Sequence, residues 1–355
     1  MKTRSKLGMF DRIDKMLFFL SLILVSISLV VLSSITASIF PTYFLFIIIG
    51  FVILFLFIQI DFDVLIAFSR ITYVLSILFL LMPLIIGQVT RGAIRWIPVG
   101  NLTLQPSELV RPFLILFFAV YMTEKELDLN RLIKSAFLLL IPVTLIFIQP
   151  SLGVSILTAI GFIGVIFAST VKKRYLLVGA LIFVVTVPVA YQLLAPYQKQ
   201  RIQSFINPSL DPTGAGYNSI QSMISVGAGK YFGRGLGKGV QTQLAFLPEK
   251  HTDFIFAAVT EELGFFGAAI LLIFIFLFLL RISKIAEVSK GPTERAFISG
   301  VFLVLFVESI IHIGMNMGLV PITGVPLPLI SAGGSSFIAT MITIAMIMNA
   351  KKPAS

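Results

Sequence analysis

The sequence predicts an all-α integral membrane protein. It reads as a single polytopic domain over residues 1–355, with ten transmembrane helices and one large structured extracellular loop between the seventh and eighth. Composition is the first reason. Apolar residues make up 57% of the chain and charged residues 12%, with a mean hydropathy of +1.03; a soluble domain carries about twice that charge fraction. The second is length. Apolar stretches near the ~20 residues that a bilayer crossing needs recur at 16–38, 43–60, 66–87, 107–123, 135–149, 152–171, 175–194, 254–280, 296–315 and 335–350. The third is charge sorting. With the N-terminus inside, 18 of the 27 Lys and Arg residues fall in inside segments, as the positive-inside bias requires. Both termini are therefore expected in the cytoplasm. The net charge of +11 has a membrane explanation, and no nucleic-acid partner is expected. Cysteine is absent, which excludes disulfides and thiolate metal sites.

The first span begins with basic residues, as a signal peptide would. Its apolar run of about 23 residues exceeds the 7–15 of a signal core, so it is an anchor. Spans one and two are almost purely apolar and carry no chemistry. The loop over 87–108 is the first informative stretch. It holds Trp96, the only tryptophan, between Arg95 and Ile97; a lone Trp reads either as an interfacial anchor or as a lipid-headgroup contact. Pro106 ends this loop and Ser107 can cap span four. Glu108 and Arg111 are three apart, on one helix face, and form either a structural pair or one wall of a polar chamber. Gln149-Pro-Ser-Leu-Gly153 is a tight turn, and Lys172, Lys173 and Arg174 flank the inside.

Segment 195–253 is far longer than an ordinary connection, and loops of that length are usually functional or disordered. Its content argues for structure. The glycine run Gly227–Gly239 resembles a phosphate-binding loop, without the strand–loop–helix context that would make the motif specific. With Lys230, Arg234 and Lys238 it forms an outward-facing cationic surface. That surface suits a phosphorylated, membrane-bound ligand, or else a solvated loop whose cations meet anionic lipid.

The chain is organised around Leu247–Gly267, where ionisable residues run straight into a membrane-length apolar stretch. Asp253 sits at the mouth of that helix, with Lys250 and His251 just before it. Glu261 and Glu262 lie about 12–14 Å further in, where carboxylates need partners or an aqueous cavity. Either Thr252 or Asp253 could be a helix N-cap, and composition does not choose between cap and active-site acid. Adjacent residues point about 100° apart, so Glu261 and Glu262 cannot both face one ligand and are read as supporting residues. Glu308 and His312, at i and i+4, share a face of span nine, as a proton relay or a satisfied structural pair. The proline-rich stretch 316–336, ending in Ser335 and Ser336, is irregular near membrane depth. Such backbone is tolerated where it is buried or lines a cavity, so it is expected to close over the chamber of Asp253.

Seven strings occur in order between residues 87 and 336: Gly92-Ala-Ile-Arg-Trp-Ile97, Gln105-Pro-Ser-Glu-Leu109, Gly214-Ala-Gly-Tyr217 with Gln221-Ser222, Phe246-Leu-Pro-Glu-Lys-His-Thr-Asp-Phe-Ile-Phe-Ala257, Glu261-Glu-Leu-Gly264, Pro321-Ile-Thr-Gly-Val-Pro-Leu-Pro328 and Gly333-Gly-Ser-Ser336. Together they resemble the SEDS (shape, elongation, division, sporulation) family, and the fourth and sixth lean towards its RodA branch rather than FtsW. Three positions depart from the family pattern: Ser151 stands where Asp is usual, Arg111 where Lys is usual, and Ala332 where an aromatic is usual.

The resemblance implies a peptidoglycan glycosyltransferase on the outer face of the bacterial cytoplasmic membrane, serving wall elongation and rod shape. It would polymerise lipid II into β-1,4 glycan by single, inverting displacement of the undecaprenyl diphosphate. Implied partners are a class B penicillin-binding protein and other elongation-complex membrane proteins. Asp253 matches the family's essential aspartate and is the expected general base. Arg201, Arg234 and Lys238 are candidate diphosphate clamps, with Lys250, His251, Trp96, Ser335 and Ser336 as further substrate contacts. Glu108, Arg111, Glu261, Glu262, Glu308 and His312 would support them. A divalent cation, Mg2+ or Mn2+, is the one cofactor left open. A helix N-terminus and neighbouring cations favour ionised Asp253 and weaken its basicity, while desolvation opposes them. The competing reading is a lipid II flippase, for which intramembrane Glu108, Glu308 and His312 would be the coupling groups. The halves 1–175 and 176–355 show no repeat of the kind such carriers have. A non-enzymatic scaffold is the third.

Overall fold

The computed structural model describes residues 12–351 apart from 37–38, 91–92, 101, 170, 172–174, 176–190, 193, 195, 212–213 and 245. Helix α1 (Lys15–Ile35) is followed by α2 (Phe40–Ile58), α3 (Phe62–Ala67) and α4 (Ser69–Ile86). After a small sheet come α5 (Pro106–Leu109), α6 (Arg111–Thr123), α7 (Leu129–Ile148) and α8 (Leu152–Ala168). The long segment carries α9 (Pro196–Ile206), α10 (Ala215–Ala228) and α11 (Val240–Gln243), and the chain ends with α12 (Ile255–Glu287), α13 (Pro292–Asn316) and α14 (Gly334–Ala350). Among the described residues seven helices are long and apolar enough to cross a membrane, counting α5 and α6 as one, and α8 and α14 are shorter apolar helices. The expected seventh span, 175–194, lies almost wholly outside the described residues.

The all-α expectation needs correcting at the loop after α4. Strands β1 (Gln88–Thr90), β2 (Ala93–Val99) and β3 (Leu102–Leu104) form an antiparallel sheet in the order β1-β2-β3. Alternating apolar residues at Ile94, Trp96 and Leu102, with Gly100 at a φ of +60°, give the pattern of short strands around a tight turn. Two expected spans are also interrupted. Span three breaks at Phe68, and span four at Val110, where Pro112 has no N–H for the Glu108 carbonyl.

The core gathers on α14, which is buried from Ser335 to Ala350. A short helix that is apolar all round belongs inside a bundle. It packs on α2, while α13 packs on α8, α6 and α12. Its polar side chains are turned to backbone: Thr340 to Ser336 at 2.8 Å, Thr343 to Ala339 at 2.7 Å, and Asn349 to Phe57 and Ile60 at 2.8 Å each.

One end of the bundle is fastened by Asp14. Its carboxylate accepts from Leu17 N (2.9 Å), Arg281 Nε (2.9 Å) and Lys351 Nζ (2.7 Å), joining α1, α12 and the end of α14. Burial alone would raise the Asp14 pKa, but the bonds to Arg281 and Lys351 outweigh it and hold the carboxyl well below the usual range. A depressed carboxylate adds stability above its unfolded-state pKa and loses it as pH falls through the folded one. The expected result is a thermal midpoint that drops below about pH 4 in the parent protein, with that drop reduced in Asp14→Asn. Equal acid sensitivity of the two in a detergent melting series would count against this role.

Candidate active site

Asp253 lies at the opposite end of α12 from Arg281, in the turn that precedes the helix. Glu249, at a φ of +53°, starts that turn, and its carbonyl accepts from Thr252 N (3.1 Å) and Phe254 N (3.2 Å). Thr252 is not the helix cap, because its hydroxyl bonds Glu249 Oε2 at 3.1 Å. The N-cap position is Phe254, which offers no side-chain bond.

Capping comes across the chain from Asn316, at the end of α13. Its Oδ1 accepts from Ala257 N (2.9 Å), and its Nδ2 donates to Asp253 O (2.9 Å) and His312 O (2.8 Å). Ser331 Oγ donates to Thr252 O, and Ala332 N to His251 O, each at 2.8 Å. The backbone that carries Asp253 is thus gripped from α13 and from the proline-rich stretch before α14. Asn316 is fully buried, so Asn316→Ala would strand a helix N–H and two carbonyls, a cost of about 1–3 kcal/mol. The expected readout is a lower thermal midpoint together with reduced turnover. An unchanged turnover would show that the turn holds without this grip.

The Asp253 carboxylate lines a cavity of about 490 Å³. Its walls come from β2 (Arg95, Trp96), the β3–α5 junction (Gln105, Glu108), the long segment (Arg201, Asp211, Asn218, Glu249) and the 322–336 stretch, including Ser335 and Ser336. Ser335 Oγ accepts from Gln105 N at 2.8 Å. Gln105 Nε2 reaches Ser107 Oγ (3.1 Å) and Ser151 Oγ (3.5 Å), so Ser151 meets the cavity wall from behind. Arg201 Nη1 donates to Ile322 O at 3.3 Å, laying α9 across the proline-rich stretch. The Arg95 guanidinium lies 5.8 Å from the centre of the Trp96 ring. Two guanidinium groups and four carboxylates therefore share one polar chamber. Behind it Glu108 pairs with Arg111, whose Nη2 also lies 3.5 Å from Glu308 Oε1, all three being buried.

Of the residues expected at the site, Asp253, Arg201, Trp96, Ser335, Ser336 and Glu108 meet around this chamber. Arg234, Lys238, Lys250 and His251 are not among its lining residues. The glycine run goes elsewhere because α12 is broken at Gly264, whose φ of +69° interrupts the helix ladder. Arg234 N and Gly235 N donate to Glu261 O (2.8 Å) and Glu262 O (2.9 Å), and Phe265 N and Phe266 N donate to Lys230 O (2.8 Å) and Tyr231 O (3.2 Å). Arg234 N, Gly235 N and Gly237 N, which could otherwise face an anion, are thus bonded to Glu261 and Glu262.

Glu261 accepts from Gln241 N (2.8 Å) and Thr242 N (3.0 Å), capping α11. Glu262 accepts from Ser34 Oγ (2.9 Å) and Gly237 N (3.0 Å). Both act on the loop and neither lines the cavity. Lys250 donates to the Thr242 carbonyl, and burial lowers its pKa against the pull of Glu262 and Glu261. His251 Nε2 lies 3.8 Å from Glu249 Oε2. His312 Nδ1 bonds Val325 O at 2.8 Å, so its proton sits on Nδ1, and the ring braces the proline-rich stretch.

Arg95, Gln105, Asp211, Glu249 and Asn316 are not among the site residues expected from sequence. Arg95 is signalled there as a cation beside the lone Trp, and Gln105 and Glu249 lie inside two of the matched strings. Among the described residues no group of three or more His, Cys, Asp or Glu is placed to hold a metal ion.

The fold and cavity define a multi-pass membrane protein with an acid- and arginine-lined chamber at one end of its bundle. The family model FtsW/RodA/SpoVE, described as cell cycle protein, matches residues 9–355. The chain belongs to that family. It is 38% identical over 266 residues to the peptidoglycan glycosyltransferase MrdB of Escherichia coli K12, covering 74% of this chain and 72% of that one. It is 36% identical to a probable peptidoglycan glycosyltransferase FtsW of Buchnera aphidicola subsp. Baizongia pistaciae, covering 98% and 95%. Its fold matches the crystal structure of the Thermus thermophilus rod shape determining protein RodA with a TM-score of 0.71 at 26% identity, covering 94% of each chain. A chain from a study of polymerization and crosslinking by a peptidoglycan synthase complex matches with a TM-score of 0.82 at 28% identity, covering 94% and 95%.

Proposed function

We propose that the protein is a peptidoglycan glycosyltransferase that polymerises lipid II on the outer face of the cytoplasmic membrane, with ten spans and both termini inside. The observation that carries this reading is Asp253 in one chamber with Arg95 and Arg201. An acceptor sugar hydroxyl gives its proton to the Asp253 carboxylate as its oxygen attacks the donor anomeric carbon. The carbon–oxygen bond to the diphosphate breaks, and the lipid diphosphate leaves with the bonding electrons. Attack opposite the leaving group inverts the centre, so an α-linked donor gives a β-linkage. Charge developing on the diphosphate is assigned to the two guanidinium groups, which takes the clamp role from Arg234 and Lys238.

An apolar groove of about 610 Å³ supports an amphipathic substrate. It is lined by α2, α4, β2, β3 and α6, including Phe46, Phe57, Phe79 and Phe113. Leu104 and Leu109 face the groove while Gln105 and Glu108 face the chamber, so one short segment divides them. A sugar diphosphate in the chamber can trail its polyprenyl chain into that groove. The relation to a peptidoglycan synthase complex supports a class B penicillin-binding protein as partner, and the RodA-like strings support a role in elongation.

The test is polymerisation of labelled lipid II by purified protein with that partner, resolved as a glycan ladder. Ladder formation is the expected result. Transfer of labelled lipid between leaflets of sealed vesicles with no polymer would overturn the reading in favour of a transporter.

A further inference from the structure

The crossing of the glycine run over α12 leaves an aromatic and cationic surface that neither the chamber nor the groove uses. Tyr231 and Phe232 are 69% and 82% exposed, and Phe265 and Phe266 are exposed beside them. The Phe232 and Phe266 rings are 5.2 Å apart, and those of Phe265 and Phe266 5.8 Å. Lys230, Arg234 and Lys238, on the same run as Tyr231 and Phe232, are all exposed, with Arg234 Nε donating to Ala228 O at 3.2 Å. The carboxylates at the same level do not cancel them at the surface. Glu261 and Glu262 are 0% exposed, and their oxygens are turned onto the loop backbone and Ser34.

The depth of this surface follows from two bonds between α1 and α12. Asp14 meets Arg281 at one end, and Ser34 meets Glu262 at the other. From Asp14 to Ser34 is about 30 Å along α1, and the continuous helix of α12 from Phe265 to Arg281 runs about 24 Å, with the break at Gly264 between it and Glu262. The α1 distance matches the ~30 Å thickness of a bilayer's hydrocarbon core. Glu262 therefore marks the hydrocarbon boundary. Phe265 and Phe266 sit just past it on the apolar side, and Arg234 N and Gly235 N bond Glu261 O and Glu262 O, which puts that part of the run at the boundary. Aromatic rings favour that depth, and cations beside a membrane surface attract anionic headgroups.

We propose that Lys230, Arg234, Lys238 and the Phe232–Phe265–Phe266 cluster form a binding site for an anionic phospholipid, its phosphate on the cations and its chains against the rings. The site stands on the bilayer reading alone and not on the glycosyl-transfer reading. It holds the glycine run, and so Glu262 and α11, at a fixed depth.

The test uses the single natural tryptophan. A full-length Trp96→Phe/Phe232→Trp variant carries one reporter at the cluster and is reconstituted into phosphatidylcholine vesicles. Brominated phosphatidylglycerol or brominated phosphatidylcholine is added at equal fractions. Quenching by the anionic lipid at about tenfold lower fraction is expected, and it should be lost when Lys230, Arg234 and Lys238 are all changed to Gln. Lys238→Gln alone should give an intermediate preference. Equal quenching by the two lipids would overturn the proposal, as would a preference that survives the triple change. Relief of quenching by equimolar undecaprenyl diphosphate would assign the surface to the substrate instead. Shielding of the reporter from both lipids would assign it to a protein contact.

Discussion

Asp253→Asn is expected to abolish glycan synthesis while leaving the fold intact. The two side chains are nearly the same size, and the helix N-cap position is Phe254 rather than Asp253. The bond from Asn316 goes to the Asp253 backbone carbonyl, and the substitution leaves it in place. What disappears is the carboxylate proposed above to accept the proton, and positioned acid–base groups contribute about 10²–10⁴-fold to rate. Turnover should fall by at least about 10²-fold, with a thermal midpoint close to that of the parent. Full polymerisation by a well-folded Asp253→Asn protein would remove the aspartate from the chemistry. A loss of both folding and turnover would instead assign it to the architecture.

The second large effect is on stability. Arg111 is buried between Glu108 and Glu308. Arg111→Leu leaves two buried carboxylates without their shared cation, and removing one partner of a buried pair costs about 3–5 kcal/mol. The expected result is a sharp loss of thermal midpoint in detergent. Replacing Glu108 and Glu308 by Gln together with Arg111→Leu should recover much of that loss, because the uncompensated charges are gone. Arg111→Lys tests geometry apart from charge. A guanidinium fork spans two carboxylates in a way that one ammonium cannot, so an intermediate loss is expected. Equal midpoints for Arg111→Leu and the parent protein would mean that the network contributes nothing to stability.

What could be read from the sequence divides along physical lines. Spans one, two, five, six, eight, nine and ten appear as helices near their expected positions, because bilayer length and charge sorting are local properties. Asp253 was legible because it stands at a polar-to-apolar boundary. The sheet over 88–104 was hidden because its strands are short and lie in a loop already explained as an outer connection. The glycine run, with its three cations, suits either a phosphorylated ligand or a solvated loop beside anionic lipid when read from sequence alone. Its partners are the carbonyls and N–H groups released where Gly264 breaks α12, and a kink of that kind is invisible inside an apolar run. Asn316 could not be found for a similar reason. It acts on a residue 63 positions earlier, and a lone Asn after a span looks like any other loop residue. Arg95 and Arg201 reach one chamber from segments about a hundred residues apart, and only the packed chain brings them together.

The grip on the Asp253 turn also fixes an order of events during synthesis. The acid is at residue 253, yet its backbone is held by Asn316, Ser331 and Ala332. A nascent chain that has just placed α12 in the bilayer already contains the aspartate, with the residues that aim it still untranslated. The turn closes once α13 has crossed and the proline-rich stretch has folded back. A chain ending before residue 316 would then carry every residue of α12 and still hold its acid on an unsupported turn. The support of this turn therefore comes from residues 63 or more positions later in the chain than the aspartate it carries.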